Sequence, residues 1–369
     1  MLMKKCIVYY PFNIDKNHPS ATNIRPVKFI EGFKEAGYEV EVIMGYGQER
    51  KARVEEVKRK IEKGERYDFL YTESATEPTL LTEKNHIPKF PFLDFGFFKY
   101  CKKKGIPIGL FYRDIYWRFS LYKESVALQK RIPAYAFYYY DLMMYKKYLN
   151  VLFLPSTMMK KYIPFNISIP TYQLPSGCEE VLVKNSSPKE NKTIKILYVG
   201  GIDKKLYNIE GLVKAVYENE EFTMDICCRE NEWKSNRGQY EKYLNDRIHV
   251  IHKKGKELDE AAMEADLFSL VFETSEYRKF AMPMKLFSYI AYGKPIIGIK
   301  DTAGGDFIEE NNIGYVVNYD ESEIKALLKR IEIISEDEKE RKLQAVKEAY
   351  KKNTWKQRAI MVAECLNKK

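Results

Sequence analysis

The sequence predicts an α/β protein made of two doubly wound domains. Apolar β-runs and helical patterns alternate along most of the chain, as they do where a parallel sheet carries helices on both faces. The alternation restarts once, after the polar, turn-rich stretch 184–193 (KNSSPKENKT). A length of 369 residues is too great for one ordinary core and suits two.

Cys6–Tyr10 is an unbroken apolar run, the pattern of a strand buried on both faces. After a polar loop at 13–23, the spacing of Val27, Phe29, Ile30 and Phe33 predicts a helix opened by Pro26 and stopped by Gly37. Tyr38–Met44 alternates as a second strand, 49–64 is a charged helix, and Tyr67–Tyr71 is a third strand. The helical segment Phe95–Lys104 precedes a fourth strand, Ile106–Tyr112, and a long aromatic helix precedes the short strand Val151–Leu154. Beyond the polar stretch come the strand Ile194–Val199, a tight Gly200-Gly201 loop and a helix over Ile209–Tyr217. Strands then follow at Phe222–Cys228, Ile248–Ile251, Leu267–Phe272 and Pro295–Ile299, and Thr354–Leu366 is an amphipathic helix. The expected domains are 1–184 and 185–351, with 352–369 returning to the first. Ligands are expected beyond the carboxyl ends of the strands, in a cleft between the domains.

Hydrophobic residues make up 45% and charged residues 31% of the chain, which excludes a disordered or collagen-like polymer. No stretch reaches the roughly 18 uncharged apolar residues of a membrane span. The opening MLMKKCIVYY meets Pro11 and Asn13 too soon for a secretory leader and reads as a strand. Six cysteines without framework spacing then suit reduced thiols in a cytoplasmic protein.

The net charge of +10 is unevenly placed: residues 1–184 hold 30 Lys/Arg against 20 Asp/Glu, whereas 185–369 hold 32 of each. The window 99–163 holds 13 basic and 3 acidic residues, and 16 of its 65 residues are aromatic. Such a region suits an anionic partner. No nucleic-acid-binding module accompanies it, so the expected partner is an anionic surface at the inner face of the cell membrane, or an anionic substrate. Within the window, AYAFYYYDLMMY (134–145), flanked by Lys130-Arg131 and Lys146-Lys147, reads equally as an interfacial helix or as a core helix.

The segment 277–295, YRKFAMPMKLFSYIAYGKP, concentrates candidate chemistry. A helix beginning near Pro283 presents free N–H groups to a diphosphate, and Lys285 adds positive charge on its first turn. Ser288, three residues on, can hydrogen-bond a ribose hydroxyl. Gly200 and Gly201, ending a strand, let backbone approach a phosphate closely. Arg229, at another strand end, is placed for a diphosphate or a sugar carboxylate. In the first half, Ile108–Phe111 leads into Arg113-Asp114, and a strand-end carboxylate can take the proton of an attacking hydroxyl. The structural alternative for Asp114 is an ion pair or the cap of the next turn. Glu73 and Glu77 are rival carboxylates after the third strand, and Arg25 either holds an anion or pairs with Glu31. His249 and His252 flank a strand with no third ligand in view, so no zinc site is expected.

The same segment, followed by Ala303-Gly304-Gly305-Asp306, resembles the nucleotide-sugar half of the GT-B glycosyltransferases. Met284-Lys285-Leu286-Phe287-Ser288-Tyr289, continuing to Gly293-Lys294-Pro295, is most similar to the xanthan-type glucuronosyltransferases. The resemblance implies a GT-B fold, two Rossmann-like domains facing a central cleft, with the acceptor on the N-terminal and the nucleotide sugar on the C-terminal domain. It implies sugar transfer from a UDP-linked donor to a lipid-linked or polysaccharide acceptor, with no cofactor and no metal. Gly200, Gly201, Ile202, Arg229, Tyr277, Met284, Lys285 and Ser288 then fall to the donor, Ser20, Thr22, Arg25, Glu73 and Arg113 to the acceptor, and Asp114 becomes the general base. Related retaining enzymes carry a glutamate where Ser288 stands, paired with a second glutamate; this sequence lacks the pair, which favours inversion. Two other readings keep the fold: a UDP-sugar 2-epimerase, which needs no acceptor, and a non-catalytic subunit that docks a partner through 99–163.

Overall fold

The computed structural model describes residues 4–15, 21–180 and 193–368. Ser20 and all but the last residue of the polar stretch 184–193 lie outside the described residues. The chain forms two compact units, Met1–Gly177 with Trp355–Lys369, and Cys178–Thr354.

The first unit runs β1 (Lys4–Tyr9), α1 (Ala21–Glu35), β2 (Tyr38–Ile43), α2 (Gly47–Glu62), β3 (Phe69–Glu73), α3 (Leu93–Lys103), β4 (Ile108–Phe111), α4 (Ser120–Ser125), α5 (Leu128–Tyr148), β5 (Val151–Leu154) and β6 (Thr171–Gln173). Its sheet has the order β2-β1-β3-β4-β5-β6, every pair parallel. Every residue of β3, β4 and β5 is buried, which is why β4 and β5 read as apolar runs without alternation. The edge strand β2 keeps a half-exposed middle.

Helix α1 begins five residues ahead of Pro26 instead of at it, a correction to the sequence expectation. Pro26 has no N–H for the carbonyl one turn back, so the helix is held by the apolar face behind it. Phe29 and Phe33 are fully buried, and Phe29 stacks on Tyr71 at 4.8 Å. The C-terminal helix (Trp355–Asn367) packs against the same face, with Trp355 edge-on to Phe29 at 5.5 Å. The approach requires glycine: a Cβ at Gly32 would stand 2.6 Å from the Trp355 carbonyl oxygen, and one at Gly177 2.6 Å from the Trp355 nitrogen.

The second unit runs β7 (Ile194–Val199), α6 (Glu210–Tyr217), β8 (Phe222–Cys227), α7 (Glu230–Tyr240), β9 (Ile248–Ile251), α8 (Lys256–Glu264), β10 (Leu267–Ser269), α9 (Glu276–Lys279), α10 (Met284–Ala291), β11 (Ile296–Ile299), α11 (Ala303–Glu310), β12 (Gly314–Val317), α12 (Glu321–Glu332) and α13 (Glu336–Lys352). The sheet order β12-β11-β10-β7-β8-β9, all parallel, reverses direction between β7 and β10. Counted from the first strand of the unit, this is the 3-2-1-4-5-6 order of dinucleotide-binding sheets. Strand β10 is shorter than the expected Leu267–Phe272, because the Ser269 hydroxyl accepts the Val271 N–H (3.0 Å) and turns the chain out of the ladder. The Ala303-Gly304-Gly305 run serves helix–strand packing, since a Cβ at Gly305 would lie 1.9 Å from the Ile299 carbonyl oxygen.

Candidate active site

The sheet of the second unit reverses its winding between β7 and β10, and ligands of such sheets bind beyond the strand ends at that point. Strand β7 ends in Val199 and turns at Gly200, whose φ is +151°. A Cβ on Gly200 would stand 2.8 Å from the Lys285 ammonium, so the turn and the lysine fit together only with glycine there. Lys285 comes from the first turn of α10 and donates to the Val199 carbonyl (3.3 Å) and the Tyr198 hydroxyl (3.4 Å). Its Nζ lies 4.4 Å from the Tyr198 ring centre, 5.3 Å from Phe272 and 5.6 Å from Tyr207. The Arg278 guanidinium, from α9, lies 4.4 Å from the centre of the same Tyr207 ring, and its buried Nε has no hydrogen-bond partner. Burial, reinforced by Arg278, pushes the Lys285 pKa down to about 7, and Glu232 opposes the shift.

Two half-buried basic groups thus lie against aromatic faces. A cation withdrawn from water without a hydrogen-bonded anion is costly, so such a pair favours an anionic ligand. Glu232, on the first turn of α7, closes the other side of the glycine turn: its Oε1 lies 2.8 Å from where a Gly201 Cβ would stand.

The remaining expected donor residues are less uniform. Tyr277 and Met284 are half-buried beside this group, and Tyr277 meets Phe280 edge-on at 5.5 Å. Ile202 is fully buried in the core, so its side chain cannot meet a ligand, and its carbonyl accepts the Tyr240 hydroxyl at 3.0 Å. Ser288 is exposed on α10 while Lys285 turns in toward β7, which separates two residues expected to share a face. Arg229 is exposed at the start of α7.

In the first unit the corresponding reversal lies between β1 and β3, and there Arg25, Glu73 and Arg113 converge. The buried Glu73 carboxylate accepts from Arg25 Nε (3.1 Å) and the Tyr71 hydroxyl (2.8 Å) on one oxygen, and from Arg113 Nη2 (2.7 Å) on the other. Arg25 also donates to the Leu174 carbonyl (3.0 Å) and lies 3.7 Å from the Phe111 ring centre. It pairs with Glu73, not Glu31, which bridges to Lys28 instead. Arg25 is 3% and Glu73 0% exposed, so their charges meet each other inside the unit and any part in acceptor binding is indirect. Arg113 also donates from Nε to the Ser74 carbonyl (3.2 Å), and burial lowers its pKa against the pull of Glu73. Thr22 is half-buried, and Ser20 lies outside the described residues.

Asp114 Oδ1 accepts the N–H groups of Ile115 (2.6 Å) and Tyr116 (3.0 Å), which fixes the carboxylate at the head of a 3₁₀ turn, Tyr116–Arg118. Glu77 bonds His86 Nδ1 at 2.8 Å, and burial raises its pKa. The aromatic helix α5 is core over its middle: Tyr138, Asp141 and Tyr145 are buried, and Tyr138 stacks on Trp117 at 4.8 Å. Its N-terminal end instead exposes Leu128 and Ile132. His249 faces Asp225, and His252 Nδ1 lies 2.8 Å from the Cys228 carbonyl, so the H-x-x-H pair divides between two partners.

Residues 263–363 match the family model for the glucosyltransferase 3-like C-terminal domain. Solved structures align with nearly the whole chain at low identity. HepE of Anabaena in complex with UDP is 12% identical with a TM-score of 0.62, covering 99% of each chain. WaaG, a glycosyltransferase involved in lipopolysaccharide biosynthesis, is 11% identical with a TM-score of 0.56, covering 99% of this chain and 100% of WaaG. A trehalose-6-phosphate synthase, an enzyme of glycosyl transfer with retention, is 11% identical with a TM-score of 0.58, covering 98% of this chain and 99% of its own. The fold is that of the GT-B glycosyltransferases. No curated protein matches the sequence.

The family-model match in this GT-B chain covers Arg278 and Lys285 but not the glycine turn they face. Sequence reasoning missed Arg278, Tyr198, Tyr207 and Glu232. Arg278 lies inside the segment already singled out, seven residues before Lys285, and its basic character was the available signal. The other three have no signal of their own, because only the folded sheet brings β7, α7 and α10 to one point.

Proposed function

We propose that the protein is a glycosyltransferase that takes a sugar from a UDP-linked donor, and the half-buried Lys285–Arg278 pair at the Gly200 turn is the observation that carries this. When the bond from the sugar's anomeric carbon to the diphosphate breaks, its electron pair passes to the β-phosphate oxygen, and two cations held in place stabilise that charge. Because these side chains supply the positive charge, the proposed reaction needs no resident metal. The acceptor hydroxyl attacks the anomeric carbon and gives its proton to Asp114, whose orientation two backbone N–H groups fix. Inversion is the proposed outcome, on the grounds that Ser288 replaces the glutamate of the retaining relatives. A retaining enzyme shares the fold, so the fold does not decide between the two. Proton NMR of the product linkage does, and a retained anomeric configuration contradicts inversion.

The proposed acceptor is lipid-linked or a growing polysaccharide, approached at an anionic membrane surface through the basic region 99–163. Among the described residues no helix is long and apolar enough to cross a membrane. The test of the activity is release of UDP from a UDP-sugar panel, with Asp114→Asn abolishing transfer while UDP binding stays near normal. Full turnover by Asp114→Asn removes that residue from the mechanism.

A further inference from the structure

The loop after β3, the turn after β4 and the first half of α5 line an open cavity of about 800 Å³ in the first unit. We infer that this cavity seats the hydrocarbon chain of a lipid acceptor whose head group is an anionic phosphate, an inference that rests on the transferase reading above. Its position supports the assignment. The cavity opens beyond the carboxyl ends of β3 and β4, and Tyr116 in its wall donates its N–H to Asp114, so the wall and the proposed base belong to one turn.

The lining supplies the chemistry. Pro78, Leu81, Ile87, Tyr122 and Phe137 offer carbon surface, and two of the polar groups among them are engaged within the protein. The Tyr138 hydroxyl donates to the Thr76 carbonyl at 2.7 Å, and the Glu77 carboxylate is held by His86. Carbon surface makes up the larger part of the lining, and a hydrocarbon chain gains from every apolar contact there.

The surroundings point to a lipid surface. Ile87, on the rim, is 62% exposed, and the stretch of α5 that walls the cavity carries Leu128 and Ile132 at 60% and 64% exposure, one helical turn apart. Lys130 lines the cavity, and the next residue, Arg131, donates to the Lys123 carbonyl (3.2 Å), within the window of 13 basic and 3 acidic residues. Exposed apolar side chains among lysines and arginines match the boundary between acyl chains and anionic head groups.

Isothermal titration of the full chain with dodecyl phosphate, below its micellar concentration, tests the assignment. The expected result is saturable one-to-one binding, with none by inorganic phosphate. Ala134→Trp, which fills the cavity, is expected to weaken it at least tenfold while UDP binding stays unchanged. Should that variant fail to fold, Ile87→Asp, at an exposed rim position, is expected to weaken it at least threefold. Absence of saturable binding, wild-type affinity in a folded variant, or binding of maltotriose in place of dodecyl phosphate each overturns the inference. Because UDP is titrated separately, loss of UDP binding in the wild type would sink the transferase reading and leave the chain-binding result standing.

Discussion

Lys285 carries a charge proposed to meet a ligand, in a site that disfavours that charge. Burial and Arg278 bring its pKa to about 7 from 10.5, so the free protein gives up the proton far more easily than an exposed lysine does. A bound diphosphate stabilises the protonated form. UDP affinity is therefore expected to be higher near pH 7 and to fall toward pH 9, by up to about tenfold per pH unit. Lys285→Arg, which keeps its charge across that range, flattens the profile; calorimetric titration at several pH values measures both. Stability runs the other way: because the folded pKa lies below the unfolded one, the unfolded chain binds more protons between pH 7 and 10.5, and stability rises with pH in that interval. Lys285→Met removes this slope and is expected to raise the melting temperature at pH 7 while weakening UDP binding. In the first unit Glu73 has the opposite character, being fully spent on structure. Glu73→Ala leaves Arg25 and Arg113 facing each other without a counter-charge, and is expected to destabilise the unit by about 3–5 kcal/mol, read by urea unfolding.

Elements that lie wholly inside the sheets were legible because burial on both faces writes an uninterrupted apolar run, as in β1, β4 and β5. The strands β6 (TYQ) and β12 (GYVV) went unread because β6 is a half-buried run of three with two polar residues, and β12 opens on a glycine that breaks its apolar run. Helix α1 was misplaced at its start because Pro26 resembles a helix opener, and only the packing of Phe29 and Phe33 shows that the helix runs through it. The site divides in the same way. Gly200, Gly201 and Lys285 carry local signals, a glycine turn after a strand and a basic first turn, whereas Tyr198, Tyr207 and Glu232 take their places only once β7, α7 and α10 have packed. The contact of the C-terminal helix with α1 depends on the missing side chain at Gly32. Gly32→Ala is expected to push Trp355 off Phe29 and lower the melting temperature, and truncation of Trp355 to Ala to cost about 3–5 kcal/mol. A Gly32→Ala protein with wild-type stability contradicts this packing account.

For the whole molecule, the charge belongs to one part of the chain. The excess of +10 sits in the region that also holds the cavity and the exposed Leu128 and Ile132, while residues 185–369 are neutral overall. The two compact units thus carry different chemistry, a pair of basic side chains proposed to meet a diphosphate in one and a largely apolar cavity in the other. Since side chains supply the cations, transfer is expected to proceed at an unchanged rate in excess EDTA, and a loss of activity restored by Mg²⁺ contradicts the metal-free proposal. The central claim is that Lys285 and Arg278 hold a nucleoside diphosphate. Calorimetric titration of UDP into the wild type and into Lys285→Met and Arg278→Met, each checked for native circular dichroism, tests it directly. One charge-assisted contact to phosphate is worth about 1.5–3 kcal/mol, so each substitution is predicted to weaken UDP by roughly ten- to a hundredfold. Wild-type protein that does not bind UDP, or folded variants that bind it with unchanged affinity, would contradict the account.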